Sequence, residues 1–202
     1  MSAPPADATR LRRDAARNRD AILEAARDLF GSGREVPMYE IGRRAGVGQA
    51  TLYRHFPDRS ALVAAIAREH IERIETIAAE SEDDKHTILV VLDASAEMLV
   101  CMHELIGLLR EDATLAPILD ELRRRMLAVL ASALDRSRGS DLVRAELDAD
   151  DLMLVLKMIN GALVGVSTTA ERTQAAARAL DVALNGLLAQ PRPAPAAAFA
   201  RG

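Results

Sequence analysis

The fold is decided by residues 41–62, which read IGRRAGVGQATLYRHFPDRSAL. A short helix that begins near Pro37 is predicted to end at Gly46, because glycine commonly terminates helices. A second short helix begins two or three residues later and ends before Pro57, since the residue that precedes a proline is disfavoured in the α conformation. Two short helices joined by a glycine-containing turn predict a helix-turn-helix, whose second helix fits the major groove of DNA.

Charge is distributed unevenly along the chain. The 202 residues carry a formal net charge of −4, which taken alone argues against a nucleic-acid partner. Residues 1–59, however, have a balance of +3 and residues 60–202 a balance of −7. A basic amino-terminal part joined to an acidic remainder is expected when only one end of a protein contacts phosphate.

Composition also limits the compartment. No apolar run reaches the roughly 18 residues that a membrane span requires, and residues 1–8 lack the apolar stretch of a secretory signal. The only cysteine, Cys101, cannot form an internal disulfide, which fits a reducing environment. We therefore expect a cytoplasmic protein that has no membrane partner.

Helical periodicity throughout predicts an all-α protein with two domains. We expect a disordered basic arm over residues 1–13 and a helix-turn-helix DNA-binding domain over residues 14–60, continued by a linking helix to about residue 80. A helical-bundle ligand-binding and dimerisation domain would cover residues 81–190, and a disordered tail residues 191–202. The helices predicted in the ligand-binding and dimerisation domain cover about residues 85–111, 115–138, 148–168 and 171–189.

The second helix of the motif offers side chains that suit DNA recognition. Glutamine can pair with adenine through two hydrogen bonds, arginine can pair with guanine, and a side-chain methyl group can contact that of thymine. Leu52 and Phe56 are four residues apart and are expected to point inward. The candidate DNA contacts are Gln49, Ala50, Thr51, Tyr53, Arg54 and His55, with Arg59 as a phosphate contact at the start of the next helix.

The motif from Ile41 to Phe56, followed by Arg59, resembles the TetR family of bacterial transcriptional regulators. The resemblance covers the amino-terminal third closely and the remainder only in its all-helical character. It implies a homodimer in which a three-helix DNA-binding domain precedes a larger helical domain that holds an inducer, and it implies DNA contacts at the residues named above. Two positions depart from the family pattern: Pro37 replaces a capping threonine, and Gly42 replaces an alanine.

Aromatic residues are missing from the predicted ligand-binding domain, so a cation–π cage for a flat cationic ligand is not expected. Its aliphatic residues and methionines, Met153 and Met158 among them, would line an adaptable apolar cavity, and core packing is the alternative for each. The candidate ligand contacts are Met98, Met102, His103, Arg110, Met126 and Asn160.

A metal or thiol sensor is a weaker interpretation of the same domain. Glu97, Cys101 and Glu104 share one helix face at spacings of four and three residues. A single cysteine without a convergent histidine pair is a poor metal site. We therefore expect no metal and no cofactor, and a buried Cys101.

A homodimer is expected because one helix-turn-helix reads only a half-site, and two copies must be held about 34 Å or more apart. Gly161 and Gly165 are four residues apart and allow another helix to approach closely. With the last helix they would form a four-helix bundle across a two-fold axis; packing within one subunit is the alternative. The candidate interface residues are Leu156, Ile159, Gly161, Leu163, Gly165, Leu180, Leu184 and Leu187.

Together these features predict a non-enzymatic, sequence-specific regulator: a repressor that binds a palindromic operator as a homodimer and is released by a small, largely apolar ligand. The linking helix would couple ligand binding to the spacing of the DNA-binding domains. The alternatives are a helical interaction adaptor and a regulator without a small-molecule inducer. Salt-dependent binding to DNA distinguishes a regulator from an adaptor.

Overall fold

The computed structural model describes residues 6–30, 36–81, 86–111, 113–138 and 142–187. Within these ranges the chain forms α-helices and one short 3-10 helix and contains no strand, which confirms the predicted all-α class. The α-helices are α1 (Ala6–Phe30), α2 (Met38–Arg44), α3 (Gln49–His55), α4 (Arg59–Glu80), α5 (Thr87–Glu111), α6 (Ala116–Ser137), α7 (Ala149–Ala162) and α8 (Thr169–Leu187). None of the helices in the described ranges combines the length and apolar character that crossing a membrane requires.

Two compact units divide the chain. The first unit comprises Met1–Glu72 and Cys101–Arg123, and the second comprises Arg73–Val100 and Arg124–Gly202. Helices α4, α5 and α6 therefore each contribute residues to both units. This division differs from the predicted boundary near residue 80, because periodicity in a sequence locates helices but does not show which other helices they contact.

Helix α1 begins earlier than the sequence suggested. It starts at Ala6, so most of the segment that we expected to be a disordered arm is helical. Arginine and alanine, which dominate this segment, are good helix formers, and their polarity alone had suggested disorder. The expected disordered tail over residues 191–202 lies outside the described residues.

The part of the core of the first unit that holds α2 and α3 collects apolar residues from α1 to α4. Helices α2 and α3 have only seven residues each, which is too short for stability in isolation. They are held by burial of Ile41 and Leu52 against the rest of the unit. The other core residues on α1 and α4 include Ile22, Leu23, Ala26, Phe30, Leu62, Val63 and Ile66.

Helices α7 and α8 of the second unit pack against each other and begin with side-chain caps. The Asp148 carboxylate accepts a hydrogen bond from the Asp151 amide (2.9 Å), and the Asp151 carboxylate accepts one from the Asp148 amide (3.1 Å). Thr168 and Glu171 form the same reciprocal arrangement at α8. These caps satisfy amide groups that a helix leaves unpaired at its start, and they fix where each helix begins.

Candidate nucleic-acid interface

The turn between α2 and α3 sets the position of the exposed helix α3. Gly46 has φ +69°, a left-handed conformation in which glycine avoids the steric cost of a side chain. The Val47 amide donates a hydrogen bond to the Gly42 carbonyl oxygen (3.0 Å), which closes the turn. A methyl group at Gly42 would lie 3.2 Å from Leu52 Cδ2, so glycine at this position lets α3 pack closely on α2.

Helix α3 has one buried face and one exposed face. Leu52 and Phe56 are buried, which confirms the predicted inward side of the helix. On the other side Gln49, Ala50 and Arg54 are exposed and Tyr53 is 46% exposed, while Thr51 is half-buried. The structure thus brings most of the candidate DNA contacts together on one accessible surface.

His55 is less accessible than its neighbours on α3. It is half-buried, and its ring centroid lies 6.4 Å from that of Phe56. Its Nε2 atom is buried and has no hydrogen-bond partner among the described residues. A DNA contact by His55 would therefore have to use another atom of the ring.

Arg59 occupies a different place from the one predicted. Its guanidinium lies over the Phe30 ring, 4.7 Å from the centroid, and its Nη1 donates a hydrogen bond of 2.7 Å to the Val36 carbonyl oxygen. Its Nε atom is buried. These contacts connect the start of α4 to the end of α1 and to the segment before α2. Arg59 therefore contributes to the packing of the unit, and its role as a phosphate contact stays a prediction.

Helix α2 adds exposed residues that the sequence analysis did not select. Tyr39 is 57% exposed and Arg43 is exposed; the two are four residues apart and share a helix face. Arg44 instead forms an ion pair with Asp28 on α1 (3.1 Å). Pro37 caps α2 without a side-chain hydrogen bond, in agreement with the loss expected from a missing threonine. Residue type does not show whether a tyrosine is exposed or buried, so the sequence did not indicate that Tyr39 is accessible to DNA.

The candidate ligand contacts are divided between the two units. Met102 and His103 lie in the first unit, where Met102 is buried and His103 is half-buried with a buried Nδ1 atom that has no partner in the described ranges. The side chain of Arg110 lies outside the described part of the structure.

In the second unit Met98 is half-buried, and Met126 and Asn160 are buried. The Oδ1 atom of Asn160 is buried without a hydrogen-bond partner among the described residues. An unpaired buried acceptor costs about 1–3 kcal/mol. Met153 is also buried, but Met158 is 60% exposed and does not contribute to the interior, contrary to expectation.

Four of the eight candidate dimer residues are part of the core. Leu156, Ile159, Leu163 and Leu180 are buried within the single chain, so their side chains have almost no surface left to bury against a partner. They belong to the alternative that the sequence analysis left open, packing within one subunit. Leu184 is half-buried, Gly161 is exposed, and the side chain of Leu187 lies outside the described part. Gly165 follows the end of α7 with φ +79°, so it shapes the turn to α8 and is not part of a helix face.

A different set of apolar residues is exposed on α7 and α8. Leu154 (55% exposed) and Met158 share one face of α7 with Gly161, at spacings of four and three residues. On α8, Val182 is 56% exposed. The sequence analysis took the most apolar face of α7 as the dimer interface and did not select Leu154, Met158 or Val182 for it.

The predicted state of Cys101 is corrected by the structure, since its side chain is exposed. It lies between the buried Val100 and Met102 on α5, so the direction in which this helix position points, and not the residue type, sets its exposure. Among the described residues no group of three histidine, cysteine, aspartate or glutamate side chains is arranged to hold a metal ion.

Comparison with known protein families and curated proteins finds bacterial transcriptional regulators. The family model described as "Bacterial regulatory proteins, tetR family" matches residues 22–66, which include α2 and α3. An HTH-type transcriptional regulator of Staphylococcus aureus (strain USA300) is 33% identical over 92 residues, which are 45% of this chain and 50% of that protein. The chain thus aligns with about half the length of the curated relatives that it matches.

Solved structures extend the similarity over most of the chain. A TetR transcriptional regulator from Streptomyces coelicolor shares the fold, with a TM-score of 0.66, 24% identity and coverage of 86% of this chain and 99% of that one. The TetR transcription regulatory protein from Mycobacterium vanbaalenii is 32% identical in sequence, and its crystal structure matches with a TM-score of 0.65. The match covers 88% of this chain and 99% of that one. A helix-turn-helix that matches the family model, joined to a helical remainder that matches a family member at this identity, shows that the chain belongs to the TetR family of bacterial regulatory proteins.

Proposed function

We propose that this protein is a repressor that binds a palindromic operator as a homodimer through α3 and is released by a small, largely apolar ligand. TetR-family proteins are transcriptional regulators and not enzymes, which favours a regulator over a helical interaction adaptor. The observation that carries the proposal is the two-sided character of α3: Leu52 and Phe56 anchor it in the core, and Gln49, Tyr53 and Arg54 face outward. Such a helix can enter a major groove without any rearrangement of the core.

Dimerisation is supported by the exposed apolar face of α7 and α8. Large apolar side chains exposed on a soluble chain are suited to an interface, so Leu154 and Met158 on α7 and Val182 on α8 are candidates to contact a second copy of the chain. A two-fold axis would present two α3 helices to two half-sites. In this arrangement Gly161 allows a partner helix to approach closely.

Ligand binding is supported by Asn160 in the second unit. Its buried Oδ1 atom lacks a donor within the described residues, and buried Met126 and Met153 are flexible side chains that can adapt to an apolar guest. A ligand with one hydrogen-bond donor on an otherwise apolar body would satisfy that acceptor. Release of DNA then requires that the ligand bind more tightly to the form of the dimer that does not fit the operator.

The DNA-binding step is tested by footprinting on the intergenic DNA next to the gene, followed by titration of a duplex that carries the protected sequence. The double variant Tyr53→Ala/Arg54→Ala should lose at least about a hundredfold in affinity, because each base or phosphate contact contributes about 1–3 kcal/mol. Both side chains are exposed, so the thermal unfolding temperature should stay within about 2 °C of the wild type. The control, Arg73→Ala/Arg124→Ala, removes two exposed arginines of the second unit and should retain most of the affinity. Unchanged affinity in the α3 variant would overturn the assignment of α3 as the recognition helix.

A further inference from the structure

The buried stripe of α1 leads, towards the amino terminus, to an arginine. The buried residues Leu23, Ala26 and Phe30 are spaced by three and four residues along this helix. Arg19 lies four residues before Leu23, so at 100° per residue it shares their face of α1. Arg19 is nevertheless exposed. A charged side chain therefore stands where the apolar stripe of α1 meets water.

The partner of Arg19 is the residue at which the proposed recognition helix ends. The Arg19 guanidinium lies 5.9 Å from the centroid of the Phe56 ring. Phe56 is 4% exposed and directly follows α3, where its backbone becomes extended (φ −135°, ψ 97°). The Phe56 amide donates a hydrogen bond of 2.8 Å to the Leu52 carbonyl oxygen. The contact with Arg19 therefore joins α1 to the end of α3.

Arginine suits this position better than a fully apolar side chain. Its aliphatic part can cover an apolar ring while its charged end stays in water, and a cation is attracted to the face of an aromatic ring. The first unit contains a second contact of this kind, between the Arg59 guanidinium and the Phe30 ring. The Phe56 ring is thus covered at the edge of the core without exposing another apolar residue.

We propose that Arg19 is a positioning residue for operator binding, which acts through Phe56 to fix the end of α3. This inference rests on the proposed function, and it gives Arg19 a role within the protein instead of a contact with DNA. Tyr53 and Arg54 lie in the last turn of α3, so a shift of that end displaces both side chains. Residues that recognise a partner must be held within about 0.5 Å of the binding geometry by the packing around them.

The first test titrates the footprinted duplex with the variant Arg19→Met, which keeps a long side chain but removes the cation. Its affinity should fall at least about twofold, which corresponds to the loss of a cation–π contact at an exposed site. The salt dependence of log K should stay that of the wild type, because no phosphate contact is lost. Arg19→Lys restores a cation over the ring and should recover part of the affinity. A salt dependence less steep by about 0.9 per subunit would identify Arg19 as a phosphate contact and overturn the inference.

The second test measures amide hydrogen exchange in the free protein, so it does not depend on DNA. In Arg19→Met the Phe56 amide should exchange about two- to fivefold faster, because the end of α3 opens more readily. The Ala45 amide, which donates to the Ile41 carbonyl oxygen at the end of α2, should exchange at the wild-type rate. Arg17→Met is the matched control: it removes an exposed arginine from the other side of α1 and should leave both rates unchanged.

A double-mutant cycle shows whether Arg19 acts through the ring. In a Phe56→Leu background, Arg19→Met should have no further effect on affinity or exchange. An unchanged exchange rate at Phe56 in the single variant would overturn the inference and leave binding by α3 intact. Faster exchange without loss of affinity would also overturn it, since the contact would then serve the fold alone. A wild type that binds no operator duplex would instead overturn the proposed function, and the inference with it.

Discussion

Arg59 shows how a residue that suits DNA binding by type can serve the fold. A guanidinium over an aromatic face contributes about 0.5–2 kcal/mol, and a hydrogen bond from a charged group about 1.5–3 kcal/mol. Arg59 makes both contacts, with Phe30 and with the Val36 carbonyl oxygen. The two contacts join the start of α4 to the end of α1 and to the residue before Pro37, both more than twenty residues earlier in the chain, so their loss would weaken the packing that holds α2 and α3.

Replacement of Arg59 by alanine should therefore destabilise the protein by about 2 kcal/mol. Arg59→Lys should recover little of this loss, because an ammonium group neither stacks on Phe30 in the same way nor matches the fork of a guanidinium. Chemical denaturation at one fixed protein concentration measures the effect. Arg54→Ala is the control: its side chain is exposed, so its stability should change by less than about 0.5 kcal/mol while its DNA affinity falls. An Arg59→Ala protein of wild-type stability with weakened DNA binding would instead support the phosphate contact inferred from the sequence.

What could be predicted at the residue scale depended on periodicity. Leu52 and Phe56 were placed inside correctly because residues four apart on a helix share a face. The packing contacts of Arg59 were not predicted, because its partners, Phe30 and Val36, are more than twenty residues away in sequence, and no local pattern shows such a contact. Cys101 was expected to be buried because of its residue type, yet the register of α5 decides its exposure.

Ion pairs within each unit connect α4 to α6. In the first unit Arg68 donates to both carboxylate oxygens of Glu121, with the shortest contact at 2.9 Å. In the second unit Arg125 donates to both oxygens of Glu75, at 2.8 and 2.6 Å. The paired geometry orients the helices more than it stabilises them, since part-exposed ion pairs contribute little free energy.

Glu75 makes the stability of the protein sensitive to acid. Hydrogen bonding from Arg125 lowers the pKa of the Glu75 carboxyl below its ordinary value, against a smaller opposing effect of burial. A carboxyl whose pKa is lower in the folded state stabilises the protein above its unfolded pKa of about 4.3. That contribution is lost as the pH falls through the folded pKa. The loss therefore occurs below about pH 4.3.

The variant Glu75→Gln should lower the free energy of unfolding at pH 7 by no more than about 1 kcal/mol, because solvent screens this part-exposed pair. The difference from the wild type should shrink as the pH is lowered below about 4.3, since the wild-type carboxyl then becomes protonated as well. Denaturation curves of both proteins collected between pH 7 and pH 3 would measure this difference in the free energy of unfolding. Glu80→Gln serves as the control, because it removes an exposed carboxylate from the same helix. A difference that stays constant over this pH range would contradict the role given to the Arg125 contact.

At the scale of elements, sequence located the helices better than it located their ends. The start of α7 was predicted within two residues because aspartate is a strong capping residue. In the structure Asp148 caps α7, and its carboxylate accepts a hydrogen bond from the Asp151 amide. The end of α7 was placed six residues too late. Helical periodicity continues through Val166, but Gly165 has a positive φ and the chain turns after Ala162. Turn conformation depends on how α7 and α8 pack, which one sequence does not show.

For the molecule as a whole, the residues selected from the sequence as a dimer interface include side chains that the single chain already buries. The periodicity of α7 marks its most apolar face, and that face belongs to the core of the second unit. The opposite face carries the exposed Leu154 and Met158, and we propose that this face contacts the partner. The proposed homodimer would need this second face, because the affinity of two linked half-site contacts exceeds that of one by about 10²–10⁴-fold.

The variant Leu154→Glu/Met158→Glu should therefore convert the dimer into a monomer and weaken operator binding by at least about a hundredfold. Four negative charges would face one another across the two-fold axis, and the apolar contact would be lost. Both positions are more than half exposed in the single chain, so the helix content of the monomer should be retained. Sedimentation velocity gives the mass, and titration of the footprinted duplex gives the affinity. Val90→Glu/Ala128→Glu adds the same charge at exposed positions of α5 and α6 and should remain dimeric. If the α7 variant stays dimeric and binds the operator as the wild type does, the two-fold contact lies elsewhere on the chain.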